Sequence, residues 1–347
     1  MTIAFDPGAH TLRSLRRCKD RLVGRRCRSI WSSIPDNLSR RNWLAQAKIP
    51  HLVAEGHLIL AGDAAFEAAD SCDAVPRDLF ADGDVPPSDP VTRQAIASLV
   101  EGLIPWSQHP REICCFVQSE RPTAPGGVAS HGARLSDFFT PLIRLRGYEP
   151  LPLHAGTALV LAELARSGFT GIGAALGASG CEISVVHRGN ELAHGRLARG
   201  GRWIDEQFAR RAKIWRRDAL EELILDLEAA RVRKEAVSLE VPSGDDGRLI
   251  AALYKSLAAE LAEVLCETLA SDSRLALLPQ PLEIICGGGL AQTAGFVDCL
   301  ADQLDSQHFP VALAGVQLAD EPEYAVARGC LIRAELEQTS APVRRRA

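Results

Sequence analysis

Ile172 to Gly201 reads IGAALGASGCEISVVHRGNELAHGRLARGG, and its centre is the glycine turn Gly177-Ala178-Ser179-Gly180. The stretch parses as three short β-strands, the last two separated at Arg188-Gly189-Asn190 as in a hairpin. A helix is expected just before it, around Gly156 to Ala165, and helical spacing returns near Trp203. A glycine turn directly after a strand lets backbone N–H groups approach a phosphate closely, and a following helix N-terminus adds partial positive charge.

Working outward, the same device occurs twice more. TIAFD is a short strand that runs into Asp6-Pro7-Gly8, and LEIIC is another that runs into Gly287-Gly288-Gly289. Strand, glycine turn, hairpin and helices near residue 6 are repeated near residue 175, which predicts a fold built from two related halves. Taken singly, each turn is as compatible with an ordinary chain reversal. Neither G-x-G-x-x-G nor G-x-x-x-x-G-K-[ST] is present, so Rossmann and P-loop readings have no motif. Elsewhere, Asp89-Pro90 is placed to start a helix, REICCFVQS reads as a strand, and LSDFFTPLIRLRG as a helix containing Pro141. Residues 120 to 133 read as an exposed loop, and Leu249 through Leu269 recur every fourth residue along one buried helical stripe.

In order and spacing the three turns resemble those of the actin, sugar-kinase and heat-shock-ATPase superfamily, most of all its bacterial actin branch, the MreB type. Asp6-Pro7-Gly8-Ala9 stands where that family has D-x-G-T, and Ala175 to Glu182 stands where it has D-[IL]-G-G-G-T-T-E. Gly200-Gly201-Arg202-Trp203-Ile204-Asp205 is similar to G-G-x-x-[FLM]-D, and Cys286 to Gly295 to T-G-G-G-A-x-[LI]-x-G. Glu321 to Gly329 resembles the closing D-P-x-x-A-V-A-x-G. The resemblance covers about residues 1 to 335, strongest from 170 onward and poor between 35 and 150. It implies an α/β, actin-like ATPase fold in which two related lobes, 1–150 and 151–335, flank a nucleotide cleft, with residues 336–347 as a flexible basic tail. ATP or a related nucleotide would meet Asp6, Gly8, Ala9, Gly177, Ala178, Ser179, Gly180, Asp205, Gly287, Gly288 and Gly289. Mg2+ would be held through water by Asp6 if that residue still recruits it.

The departures bear on chemistry. Phosphoryl transfer relies on positioning and charge neutralisation, and the family's two turn aspartates hold Mg2+ and orient the attacking water. Ala175 replaces the second aspartate and Ala9 replaces a threonine. The family's water-polarising residue falls near Leu153 or His154, which makes His154, with Asp6, the candidate for catalysis. Losing charge stabilisation at such a site costs about 100-fold or more in rate, so hydrolysis is expected to be slow or absent. The expected role is structural or regulatory, cytoskeletal or chaperone-like, with protein partners or self-association. The alternatives are a pseudo-ATPase scaffold that no longer binds nucleotide and a small-molecule kinase of the same superfamily.

Composition bounds these readings. At 347 residues, two domains are the natural expectation, and 46% hydrophobic with 24% charged residues is typical of folded globular chains. The segment MTIAFDPGAH does not read as a secretory signal and no apolar run approaches membrane-spanning length, so the cytoplasm is expected. Ten scattered cysteines without a C-x-x-C pair argue for reduced, mostly buried thiols and against zinc. A net charge of -5 argues against nucleic-acid partners. The basic segment Arg13 to Arg28, helped by Arg344 to Arg346, could meet a membrane or acidic partner, but a solvated hairpin is favoured because no apolar helix adjoins it. RRDALEELILDLEAARVRKE is expected to form an exposed helical face.

Overall fold

The computed structural model describes residues 2–72, 74–80, 83–118, 135–217 and 222–340. The chain enters through β1 (Ile3–Pro7), where Ile3, Ala4 and Phe5 are buried on both faces, as a central strand requires. It returns antiparallel through β2 (Thr11–Cys18) and again through β3 (Arg21–Arg28). A small sheet follows from β4 (Ile30–Pro35), β5 (Leu52–Ala54), β6 (His57–Ala61) and β7 (Arg77–Asp78). It carries α1 (Leu38–Ala47), α2 (Asp63–Glu67) and α3 (Ala69–Cys72) between its strands. Then α4 (Pro90–Leu103) leads to β8 (Ile113–Gln118), and α5 (Leu135–Leu145) to β9 (Glu149–His154). β8 joins β1 in parallel and β9 extends β8, giving the order β3-β2-β1-β8-β9.

α6 (Ala155–Glu163) opens the second half, in which β10 (Gly171–Leu176), β11 (Cys181–His187) and β12 (Asn190–Leu197) run antiparallel. α7 (Gly201–Arg211), the hairpin of β13 (Trp215–Arg217) and β14 (Leu223–Leu225), α8 (Leu227–Glu235) and α9 (Gly244–Ala270) come next. β15 (Leu282–Gly287), α10 (Phe296–Asp305) and β16 (Leu313–Leu318) complete a sheet ordered β12-β11-β10-β15-β16. Each large sheet therefore has the same plan, two antiparallel returns on one side of its first strand and two parallel strands on the other.

α6 and the last helix, α11 (Ala325–Ser340), lie between the sheets and share one core with both. Ala4 and Cys115 of the first sheet, Ala158 and Leu159 of α6, Ile285 of the second sheet and Leu331 of α11 belong to it. The approach is close enough to demand glycine: a Cβ on Gly329 would lie 1.8 Å from the Ala158 carbonyl oxygen, and one on Gly173 1.9 Å from that of Gly156.

The predicted caps and stripes are largely present. Asp89 accepts from the Thr92 backbone N–H at 3.0 Å with Pro90 opening α4, and Leu253, Leu257, Leu261, Leu265 and Leu269 are buried along α9. Each such leucine contributes about 1.5–3 kcal/mol of burial. Residues 216–235 are not one helix: β13 and β14 precede α8, which starts only at Leu227 because the Asp226 side chain caps it by accepting from Ala229 N–H. The expected loop 120–133 and the arginines 344–346 lie outside the described residues, and residues 336–340 of the expected tail instead continue α11. Among the described residues no helix is long and apolar enough to cross a membrane.

Candidate functional site

The ends of β1, β10 and β15 bring the three glycine turns to one cavity of about 260 Å³. Gly8 and Ala9 line it from the first turn, Gly177 through Gly180 from the second, and Gly288 and Gly289 from the third. Gly287 sits just behind the wall, where a Cβ would lie 2.5 Å from Leu159 Cδ2. Backbone geometry explains the glycines that do line it. Gly288 adopts φ +97°, and a Cβ there would be 2.4 Å from the Leu176 carbonyl oxygen. The second turn is stapled to α7, since Gly201 N–H donates to Gly177 O at 3.0 Å and Arg202 N–H to Ala178 O at 2.9 Å.

Charge enters the cavity from both sheets. Asp6 on β1 and Arg13 on β2 face each other in register, and Arg13 Nη1 lies 3.7 Å from Asp6 Oδ2. Arg13 Nη2 also lies 3.6 Å from Glu323 Oε1, which pairs in turn with Arg26. Burial pushes the Asp6 carboxyl above its ordinary range, with Arg13 opposing that shift and Glu182 adding to it. In the second sheet Ala175 stands opposite Glu182, and Glu182 opposite Arg196. Asp205 lines the cavity from α7, 2.7 Å from Lys234 Nζ of α8. Burial outweighs that pairing and lifts the Asp205 carboxyl to about 6. Lys234 also donates to the Gly201 carbonyl at 3.1 Å.

His154 is not brought to the cavity wall. Its Nδ1 donates to Glu191 Oε1 at 2.7 Å, its Nε2 meets Gln118 Nε2 at 3.1 Å, and its ring stacks on His194 with centroids 4.1 Å apart. Glu191 further accepts from Thr157 at 2.6 Å and Ser184 at 2.8 Å. Burial pushes the Glu191 carboxyl up, but those three hydrogen bonds prevail and hold it below its ordinary value.

Contacts between the two halves cross the mouth of the cavity. Arg231 Nη1 of α8 donates to His10 Nε2 at 2.9 Å, Arg28 lies 3.8 Å from Glu228, and Arg202 pairs with Asp78. Gly83 packs so tightly on Ser179 that a Cβ would come within 2.6 Å of its Oγ. Sequence reading missed Arg13, Arg196, Arg231, Lys234 and Glu323 as cavity residues. Arg13, Arg231 and Lys234 carried a signal, as cations in charge-rich runs otherwise expected to face solvent, and Glu323 fell within the block resembling the family's closing motif.

Two features disfavour Mg2+ here: Ala175 offers no oxygen, and the Arg13 guanidinium stands against Asp6.

Residues 1–334 match the Volactin family, and the chain belongs to it. Comparison with curated proteins finds no match. Among solved structures, one described as the MamK double helical filament is 16% identical, with a TM-score of 0.65 over 96% of this chain and 99% of that one. MreB 5 of Spiroplasma citri bound to AMPPNP is 12% identical, with a TM-score of 0.67 over 98% of this chain and 97% of that one. The ethanolamine utilization protein EutJ from Carboxydothermus hydrogenoformans is 15% identical, with a TM-score of 0.50 over 95% and 89%. The fold is accordingly that of the actin and MreB superfamily, two related α/β lobes around a cleft.

Proposed function

We propose that this member of the Volactin family binds ATP or a related nucleotide in the cleft, hydrolyses it slowly or not at all, and acts structurally by self-association. The observation that carries the reading is the convergence of Gly8, Gly177 and Gly288 on one cavity. Backbone amides at such turns cradle phosphates, and the cavity also offers Asp205, Lys234, Tyr254 and Thr293. The reading takes Asp6, Gly8, Ala9, Gly177 to Gly180, Asp205, Gly288 and Gly289 as nucleotide contacts, with Gly287 and His154 acting one layer behind them. Residues 1–150 and 151–335 serve as the lobes, and the contacts of His10 with Arg231 and Arg28 with Glu228 favour their closed arrangement.

Slow turnover follows from Ala175, and filament formation is supported by the likeness to MamK and MreB 5, the former described as a filament and the latter solved with AMPPNP. The free cysteines fit a reducing compartment such as the cytoplasm. Titration calorimetry with ATP, ADP and GTP tests binding, and pelleting with negative-stain microscopy tests assembly. Saturable ATP binding that promotes pelleting is the expected result. No heat and no thermal stabilisation with any nucleotide would instead favour a scaffold without nucleotide.

A further inference from the structure

Resting on the nucleotide-binding reading above, we infer that the cleft takes its nucleotide as the metal-free anion, with the Arg13 guanidinium standing where a divalent cation would. Three independent observations carry this. Arg13 faces Asp6 across the β1–β2 ladder, and its Nη1 lies only 3.7 Å from where a Gly8 Cβ would be, so the guanidinium lies against the first phosphate-type turn. Its Nε is buried without a hydrogen-bond partner among the described residues, although its Nη1 reaches the Thr11 carbonyl at 3.3 Å. A buried guanidinium donor with nothing to donate to is satisfied by an anion arriving in the cavity.

The remaining carboxylates are already matched to cations. Asp205 has Lys234, Glu235 has Arg231, Glu323 has Arg26, and Glu182 faces Arg196 in register with His194 Nε2 4.0 Å away. A dication would therefore have to displace Arg13 from Asp6 and work against its positive charge, with no second aspartate because residue 175 is alanine. Arginine neutralises phosphate oxygens through fixed, charge-assisted hydrogen bonds and asks nothing of an aqueous metal shell.

The test is calorimetric titration of the wild-type chain with ATP and with ADP, once in EDTA and once in excess Mg2+. Affinities within about threefold of each other in the two conditions are expected, whereas a metal-dependent site differs by about tenfold or more. Arg13→Gln is expected to weaken binding in EDTA by about 10- to 100-fold, and Arg13→Lys, which keeps the charge but loses the guanidinium donors, to restore only part of it. The circular dichroism and melting of each variant are recorded alongside, and the wild-type comparison stands whether or not the variants fold. Wild-type binding that needs Mg2+ overturns this inference while leaving the nucleotide-binding reading intact. Wild-type binding in neither condition overturns both, and Arg13→Gln binding as tightly as wild type in EDTA overturns the role given to Arg13.

Discussion

Arg13 stands directly opposite Asp6 on the neighbouring strand, with Nη1 3.7 Å from Oδ2, at the mouth of the first glycine turn. In the second half the corresponding cross-strand pair is Ala175 and Glu182. The two halves thus repeat a backbone plan while carrying different charges at equivalent places, and this difference bears on turnover. Restoring an aspartate by Ala175→Asp is expected to raise phosphate release in Mg2+, and adding Arg13→Ala to raise it further, to about 100-fold above wild type. A double variant that binds nucleotide yet releases phosphate no faster than wild type would show that these two positions do not limit turnover.

Asp205 gives a pH signature. Its folded carboxyl sits near 6, well above the ordinary aspartate value, because burial outweighs Lys234. A carboxyl raised on folding contributes stability that is fully present below its unfolded value and lost as pH rises through the folded one. Urea unfolding of the wild type relative to Asp205→Asn is therefore expected to lose about 3 kcal/mol between about pH 4 and pH 6. Parallel stability curves for the two proteins across that window would contradict the assignment.

Glu191 behaves in the opposite sense. Held below its ordinary value by His154, Thr157 and Ser184, it contributes stability above about pH 4.5 that disappears as pH falls through the folded value. Glu191→Ala strands the buried Thr157 and Ser184 hydroxyls and is expected to cost about 2–4 kcal/mol at neutral pH, read by chemical denaturation. Glu191→Gln keeps an acceptor and is expected to lose less.

Glycine positions separate structural from permissive sites. Gly329→Ala forces a methyl group to 1.8 Å from the Ala158 carbonyl and is expected to cost about 3 kcal/mol or more. Gly102→Ala, within α4 and with nothing within 4 Å, is expected to stabilise by about 0.5–1 kcal/mol. Equal melting temperatures for the two variants would refute the contrast.

The turns were legible in sequence because close backbone approach at Gly288 and Gly8 excludes any side chain, so the constraint is written as glycine itself. The helix stripe of α9 was legible for a similar reason, since one-sided burial imposes a period. Arg13 was not, because it lies within a run of cations, and only pairing register singles it out as the residue opposite Asp6, while Arg26 beside it on β3 is exposed and reaches Glu323. His154 lay near the expected place along the chain, yet its direction depends on Glu191, whose position at the start of β12 follows from the hairpin and not from any local motif. The hairpin before α8 was hidden by alternating charges, although Asp226 was a cap in plain view.

α11 is the final described helix, yet it covers β1 and β8 as well as α6. β1 thus depends for one of its apolar faces on a helix far downstream in the chain. During synthesis from the N-terminus the apolar face shared by β1 and β8 stays uncovered until α11 has left the ribosome. Truncation before Ala325 is expected to leave that face open and to destabilise both halves together.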